Sequence, residues 1–143
     1  MTFDDEMPRG GTVTLMRDLS DKNDIVDVIV PLASRYAATL RTMAASFGVD
    51  TGFSIDEIDD FKLAVTEAFS ILGVRHGSVR TVVSFAMASS TLSVQLSLES
   101  GDEISVEPDE LALAILRTVV DSYEVGSNAI TLNKRATETA TLG

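Results

Sequence analysis

Apolar and polar positions alternate along this chain with two distinct periods, and the changes between them mark out the elements. Ile25 to Val30 is a β-branched run suited to a buried strand. From about Ala33 the period changes: Tyr36, Leu40, Met43, Ala44 and Phe47 recur at helical spacing until Gly48, which predicts a helix ending there. A second helix is predicted over 55–77. Its start carries a capping box with a hydrophobic staple, with Ser54 at the N-cap, Glu57 reaching back from N3, and Phe53 packing on Ile58. Ile58, Phe61, Val65, Ala68, Phe69 and Leu72 form its core stripe, and Gly77 after Arg75 and His76 suits a C-terminal cap.

At roughly 100° per residue, Leu63, Glu67, Ile71 and Val74 fall on a second, nearly opposite face with Asp60 beside them, so this helix is expected to be covered on both sides. Strand-like runs follow at Val79 to Ala88 and Leu92 to Leu98, split by Ser89-Ser90-Thr91. In the second run Val94, Leu96 and Leu98 alternate with Ser93, Gln95 and Ser97, which predicts an antiparallel hairpin with one wet face. Pro108 suits the first turn of a further helix, Asp109 and Glu110 complement its dipole, and Leu111, Ile115, Leu116 and Val119 give it a core stripe. A final strand ends near Arg135. Residues 1–23 are polar and glycine-rich around the run Thr12 to Met16, an edge strand or an extended arm. Residues 136–143 have little to bury and read as a frayed tail.

Grouped helices on one face of a mostly antiparallel sheet define an α+β two-layer sandwich. The length of 143 residues and a hydrophobic content of 45% fit one such domain over residues 24–135. Eleven basic against 22 acidic residues give a formal net charge of −11, which repels nucleic-acid backbones and anionic lipid at long range and fits either plain solubility or attraction to a basic protein surface. With no cysteine and a single histidine, His76, neither disulfides nor a zinc site has a ligand set. The first residues are acidic where a signal peptide would be basic and then apolar, and no run of about 18 apolar residues occurs, so a cytoplasmic location is expected.

Asp60-Phe61-Lys62-Leu63-Ala64-Val65-Thr66-Glu67-Ala68 resembles the Asp-x-x-x-Ala-Val-x-Glu-Ala segment of the anti-sigma-factor serine kinases, within the histidine-kinase-like (GHKL) ATPase superfamily. The similarity runs from about Asp27 to Arg135. Val28 to Pro31 and Arg35 to Phe47 look like that family's first strand and helix, and Leu116 to Val125 with Ile130 to Arg135 like its closing helix and last two strands. The resemblance implies a GHKL topology, a homodimer, and partners comprising a sigma factor and an anti-anti-sigma protein of the STAS class. It implies a general-base role for Glu67 and a partner contact for Arg41, which stands 26 residues before Glu67.

The chain departs from the family where ATP and magnesium are held. The family's asparagine, which gives magnesium an oxygen four residues after the glutamate, is replaced by Ile71, and a branched alkyl group offers no lone pair. The adenine-binding Asp-x-Gly-x-Gly is represented by Glu99-Ser100-Gly101-Asp102-Glu103, with one glycine and an anionic second position. About seven residues separate Gly101 from the next helix, too few for the glycine-rich lid of active members. Losing one charge-assisted contact of about 1.5–3 kcal/mol would weaken nucleotide affinity roughly ten- to a hundredfold, and losing two would weaken it further.

Glu67, Ile71, Glu99 and Gly101 therefore define a degenerate nucleotide site with no metal set and no expected cofactor. Three functions follow. The first is an anti-sigma-like regulator binding a sigma factor or related transcription regulator without catalysis. The second is an active ATP- and magnesium-dependent serine kinase acting on a STAS partner. The third is a dimerisation or interaction domain in which Leu63, Ile71 and Val74 fill a dry core where nucleotide once bound.

Overall fold

The computed structural model describes residues 24–76, 79–104 and 110–137, with the side chains of 74–76 left aside. Strand β1 (Ile25–Pro31) leads through a short 3-10 turn (Ser34–Tyr36) into helix α1 (Ala37–Thr51). Helix α2 (Ile55–His76) follows, then β2 (Arg80–Ala88), β3 (Thr91–Leu98), α3 (Glu110–Val119), β4 (Ser122–Val125) and β5 (Ile130–Arg135). The strands form a five-stranded sheet in the order β1-β2-β3-β5-β4, and every neighbouring pair is antiparallel. The helices cover one face, so the predicted α+β two-layer architecture is present.

The register explains where the core lies. Val28 pairs with Val83, Val83 with Leu96, and Leu96 with Ile130, so one row of inward positions crosses four strands. Phe85 and Leu132 flank Val94 in the next row. Phe61, Val65, Ala68 and Leu72 of α2 are fully buried in the same cluster, and the ring of Phe47 in α1 lies 5.0 Å from that of Phe85.

The start of α2 has the geometry that its sequence specifies. The Ser54 N–H donates to Glu57 Oε1 at 2.8 Å, the Glu57 N–H donates to Ser54 Oγ at 3.1 Å, and Phe53 is buried with Ile58 packed against the core. The end of α1 differs from expectation. The helix runs through Gly48 to Thr51 and stops at Gly52, whose φ of 96° ends it in a left-handed cap, with the Gly52 and Phe53 N–H groups both reaching the Gly48 carbonyl. Gly48 has a different purpose. A Cβ there would lie 3.0 Å from Phe53 Cδ2 and 3.1 Å from Ile58 Cγ1, so the glycine makes room for the staple. The start of α1 is also later than predicted, because residues 34–36 adopt the tighter turn.

Three further differences concern burial. Leu111 is 68% exposed, and the core stripe of α3 is Ala112, Leu116 and Val119 with Ile115 partly buried. Gln95, placed by alternation on a wet face, is 2% exposed. Ala136 and Thr137 are not frayed: the Ala136 N–H donates to the Ser90 carbonyl, and the Thr137 N–H and hydroxyl donate to Glu57 Oε2 at 3.0 and 2.7 Å. The predicted arm at 1–23, the cap at Gly77, Pro108 with Asp109, and the rest of the tail lie outside the described residues.

Candidate functional site

Helix α2 supplies Glu67 and Ile71 one turn apart, and their environments differ. Glu67 is partly exposed, and its carboxylate has no hydrogen bond or ion pair among the described residues. Ile71 is 7% exposed and belongs to the hydrophobic core cluster. Its side chain therefore fills protein interior at the position where the resemblance expects an oxygen ligand. Leu63, one turn before Glu67, is 42% exposed, which removes it from any dry core; the side chain of Val74 lies outside the described residues.

Glu99 and Gly101 follow β3 at the end of the sheet where β2 begins. Glu99 accepts two hydrogen bonds from Arg80, at 2.8 Å from Nε and 2.7 Å from Nη2, in a fork that occupies both carboxylate oxygens. Glu99 hydrogen-bonding and charge hold the Arg80 guanidinium even more firmly protonated than usual. An acceptor already committed to a guanidinium on the neighbouring strand is poorly placed to read an adenine amino group. Gly101 has a φ of 84°, and its N–H donates to the Leu98 carbonyl at 2.9 Å, so its conformation is that of a turn closing the strand. A Cβ at Gly101 would meet no atom within 4 Å, so only the backbone conformation requires glycine.

Arg41 projects from α1 toward α2, and its Nη1 donates to Thr66 Oγ1 at 3.5 Å, a long contact that leaves most of the guanidinium fork uncommitted. Thr66 itself donates back to the Lys62 carbonyl at 2.9 Å. Arg41 is thereby brought beside the residue preceding Glu67. Arg41 thus touches the residue before Glu67 and not Glu67 itself, while Glu99 is held in its pair with Arg80.

Residues that the sequence pattern did not single out tie these elements together. Lys134 occupies an inward position of β5, in line with Ile130 and Leu132, and is 9% exposed. Its Nζ donates to the Val119 carbonyl at the end of α3 at 2.9 Å and lies 3.9 Å from Asp60 Oδ2 of α2. The cation thus caps one helix and leans on the acidic side of another. A charged residue breaking an apolar alternation was the available signal for it. An open groove of about 750 Å³ lies between the β2–β3 turn and β4–β5, lined by Asp121, Asn133, Arg135 and Thr137 among others, and contains none of the predicted site residues.

Magnesium and ATP are the groups that the resemblance implies, and the residues present do not fit them. The ligand position is an alkyl side chain packed in the core, the adenine-side carboxylate is ion-paired, and no group of three or more His, Asp or Glu residues is arranged for a metal among the described residues. No protein-family model matches the chain, and no curated protein is found similar to it. Among the described residues no helix is long and apolar enough to cross a membrane.

Proposed function

We propose that the chain is a regulatory protein-binding module of the anti-sigma type, sequestering a sigma factor or related transcription regulator without nucleotide chemistry. The observation that carries this reading is the burial of Ile71. A pocket for phosphate-bound magnesium needs oxygen donors and space, and burying an anion beside hydrocarbon is strongly unfavourable. The Arg80–Glu99 pair supports it from the adenine side.

Binding and phosphorylation are separable tasks, so a scaffold can keep the first after losing the second. The fork of Arg41, largely uncommitted and partly exposed on α1, suits bidentate pairing with a partner carboxylate. The net charge of −11 favours a partner with a basic face and adds electrostatic attraction to the encounter. In this reading the protein acts in the cytoplasm, as a homodimer, and release comes through competition by a partner such as a STAS-class protein.

The test is co-purification and titration with sigma factors of the source cell in nucleotide-free buffer. Saturable binding is expected, and Arg41→Ala should weaken it by about 1.5–3 kcal/mol, roughly ten- to a hundredfold. Absence of binding to every such factor would overturn the proposal. The uncommitted Glu67 carboxylate is the one feature favouring the kinase alternative, which requires phosphoryl transfer to a STAS serine that Glu67→Gln abolishes.

A further inference from the structure

The first turn of α2 and the end of β5 share one carboxylate. Glu57 Oε1 accepts the Ser54 N–H at 2.8 Å, while Oε2 accepts the Thr137 N–H at 3.0 Å and the Thr137 hydroxyl at 2.7 Å. One oxygen therefore serves the helix cap, and the other holds a strap made of Arg135, Ala136 and Thr137. The same three residues line the open groove beside β4 and β5.

The strap leaves the sheet step by step. The Arg135 N–H donates to Asp121 Oδ2 at 2.7 Å, and the Ala136 N–H donates to the Ser90 carbonyl at 2.8 Å, one position beyond the pair Thr91 and Arg135. Thr137 is exposed, so hydrogen bonds to Glu57 hold it in place of apolar burial. Burial pushes the Glu57 carboxyl up, but the bonds from Ser54 and Thr137 outweigh this and leave it lowered, so it is charged and accepting at neutral pH. Charged neighbours are engaged elsewhere: Asp59 lies against Lys62, Asp60 against Lys134, and Asp121 takes the Arg135 N–H.

Glu57 can reach the strap only while it keeps its helical position. Its own N–H is fixed to Ser54 Oγ at 3.1 Å, so fraying of the first turn withdraws the carboxylate from Thr137. Helix ends and exposed chain segments open locally at a fraction of the cost of unfolding. We propose that Glu57 couples the start of α2 to the groove beside β5, so that the first helical turn and the strap open together as one local unit while the sheet stays folded. Whatever steadies one side of this contact then steadies the other by the same factor.

Native-state hydrogen exchange of the full-length protein, followed by NMR at low urea concentrations, tests the coupling. The amides of Ser54, Glu57, Ala136 and Thr137 should share one opening free energy, lower than that of Val83 in the centre of the sheet. Two substitutions then read the contact from opposite ends. Ser54→Ala, which touches no atom of the strap, should speed exchange at Thr137 roughly two- to tenfold, the worth of one hydrogen bond. Thr137→Val, which removes the hydroxyl donor, should speed exchange at Ser54 and Glu57 by a similar factor. A Thr137 amide that exchanges as fast as in an unstructured peptide would overturn the proposal, as would one that opens only together with Val83. An unchanged Thr137 rate in Ser54→Ala, or unchanged Ser54 and Glu57 rates in Thr137→Val, would show that the two ends move independently and would overturn it equally.

Discussion

Ile71 buries a branched hydrocarbon at the position where the resemblance to the anti-sigma kinases leads one to expect an oxygen ligand for magnesium. Because the side chain is packed in the core, restoring an amide is expected to damage the fold before it restores a site. Ile71→Asn should destabilise the protein by about 3 kcal/mol in urea unfolding, through lost burial and an amide without assured partners. A neutral effect would mean that the position faces a wet pocket. Lys134 makes an equally local prediction. Lys134→Met keeps the apolar stem but removes the donor to the Val119 carbonyl, and should cost about 1–2 kcal/mol in the same measurement. At this scale the sequence was legible in part. Spacing placed Glu67 and Ile71 on one face of a helix, but it could not tell that Leu63 and Leu111 are exposed while Gln95 is covered, because alternation says which way a side chain points and not what lies over it.

Among the elements, α2 owes its definition to its first turn, where sequence and geometry agree residue by residue. Ser54→Ala should cost about 1 kcal/mol by removing the acceptor for the Glu57 N–H. Glu57 adds a pH dependence. Burial alone would raise its carboxyl, but hydrogen bonds from the Ser54 N–H and from the Thr137 hydroxyl and N–H outweigh this and hold it below its ordinary value of 4.5. A depressed folded-state value gives stability that is present above 4.5 and is lost as pH falls through the folded value. Glu57→Gln should therefore flatten the acid limb of a plot of urea midpoint against pH; an unchanged limb would show that Glu57 does not contribute. The end of α1 departs from the predicted stop at Gly48 for a physical reason. Glycine terminates helices and also permits close packing, and only the positions of Phe53 and Ile58 distinguish the second use at Gly48 from the first at Gly52. The link from Glu57 to Thr137, 80 residues apart, leaves no periodic trace in sequence.

At the scale of the fold, the five antiparallel strands and three α-helices among the described residues make a scaffold whose layer order could be read from the change of period along the chain. Its acidity belongs to this scale as well. If a basic partner surface is the target, raising sodium chloride from 50 to 500 mM should weaken the complex chiefly through slower association, and salt-insensitive binding would remove charge from the account. Calorimetric titration of the purified protein with Mg-ATP tests most directly whether a competent triphosphate site is absent. No saturable heat is expected at millimolar nucleotide, and no rise in melting temperature. Saturable binding, with the stabilisation of about 2.7 kcal/mol that a ligand gives at a hundred times its Kd, would contradict it.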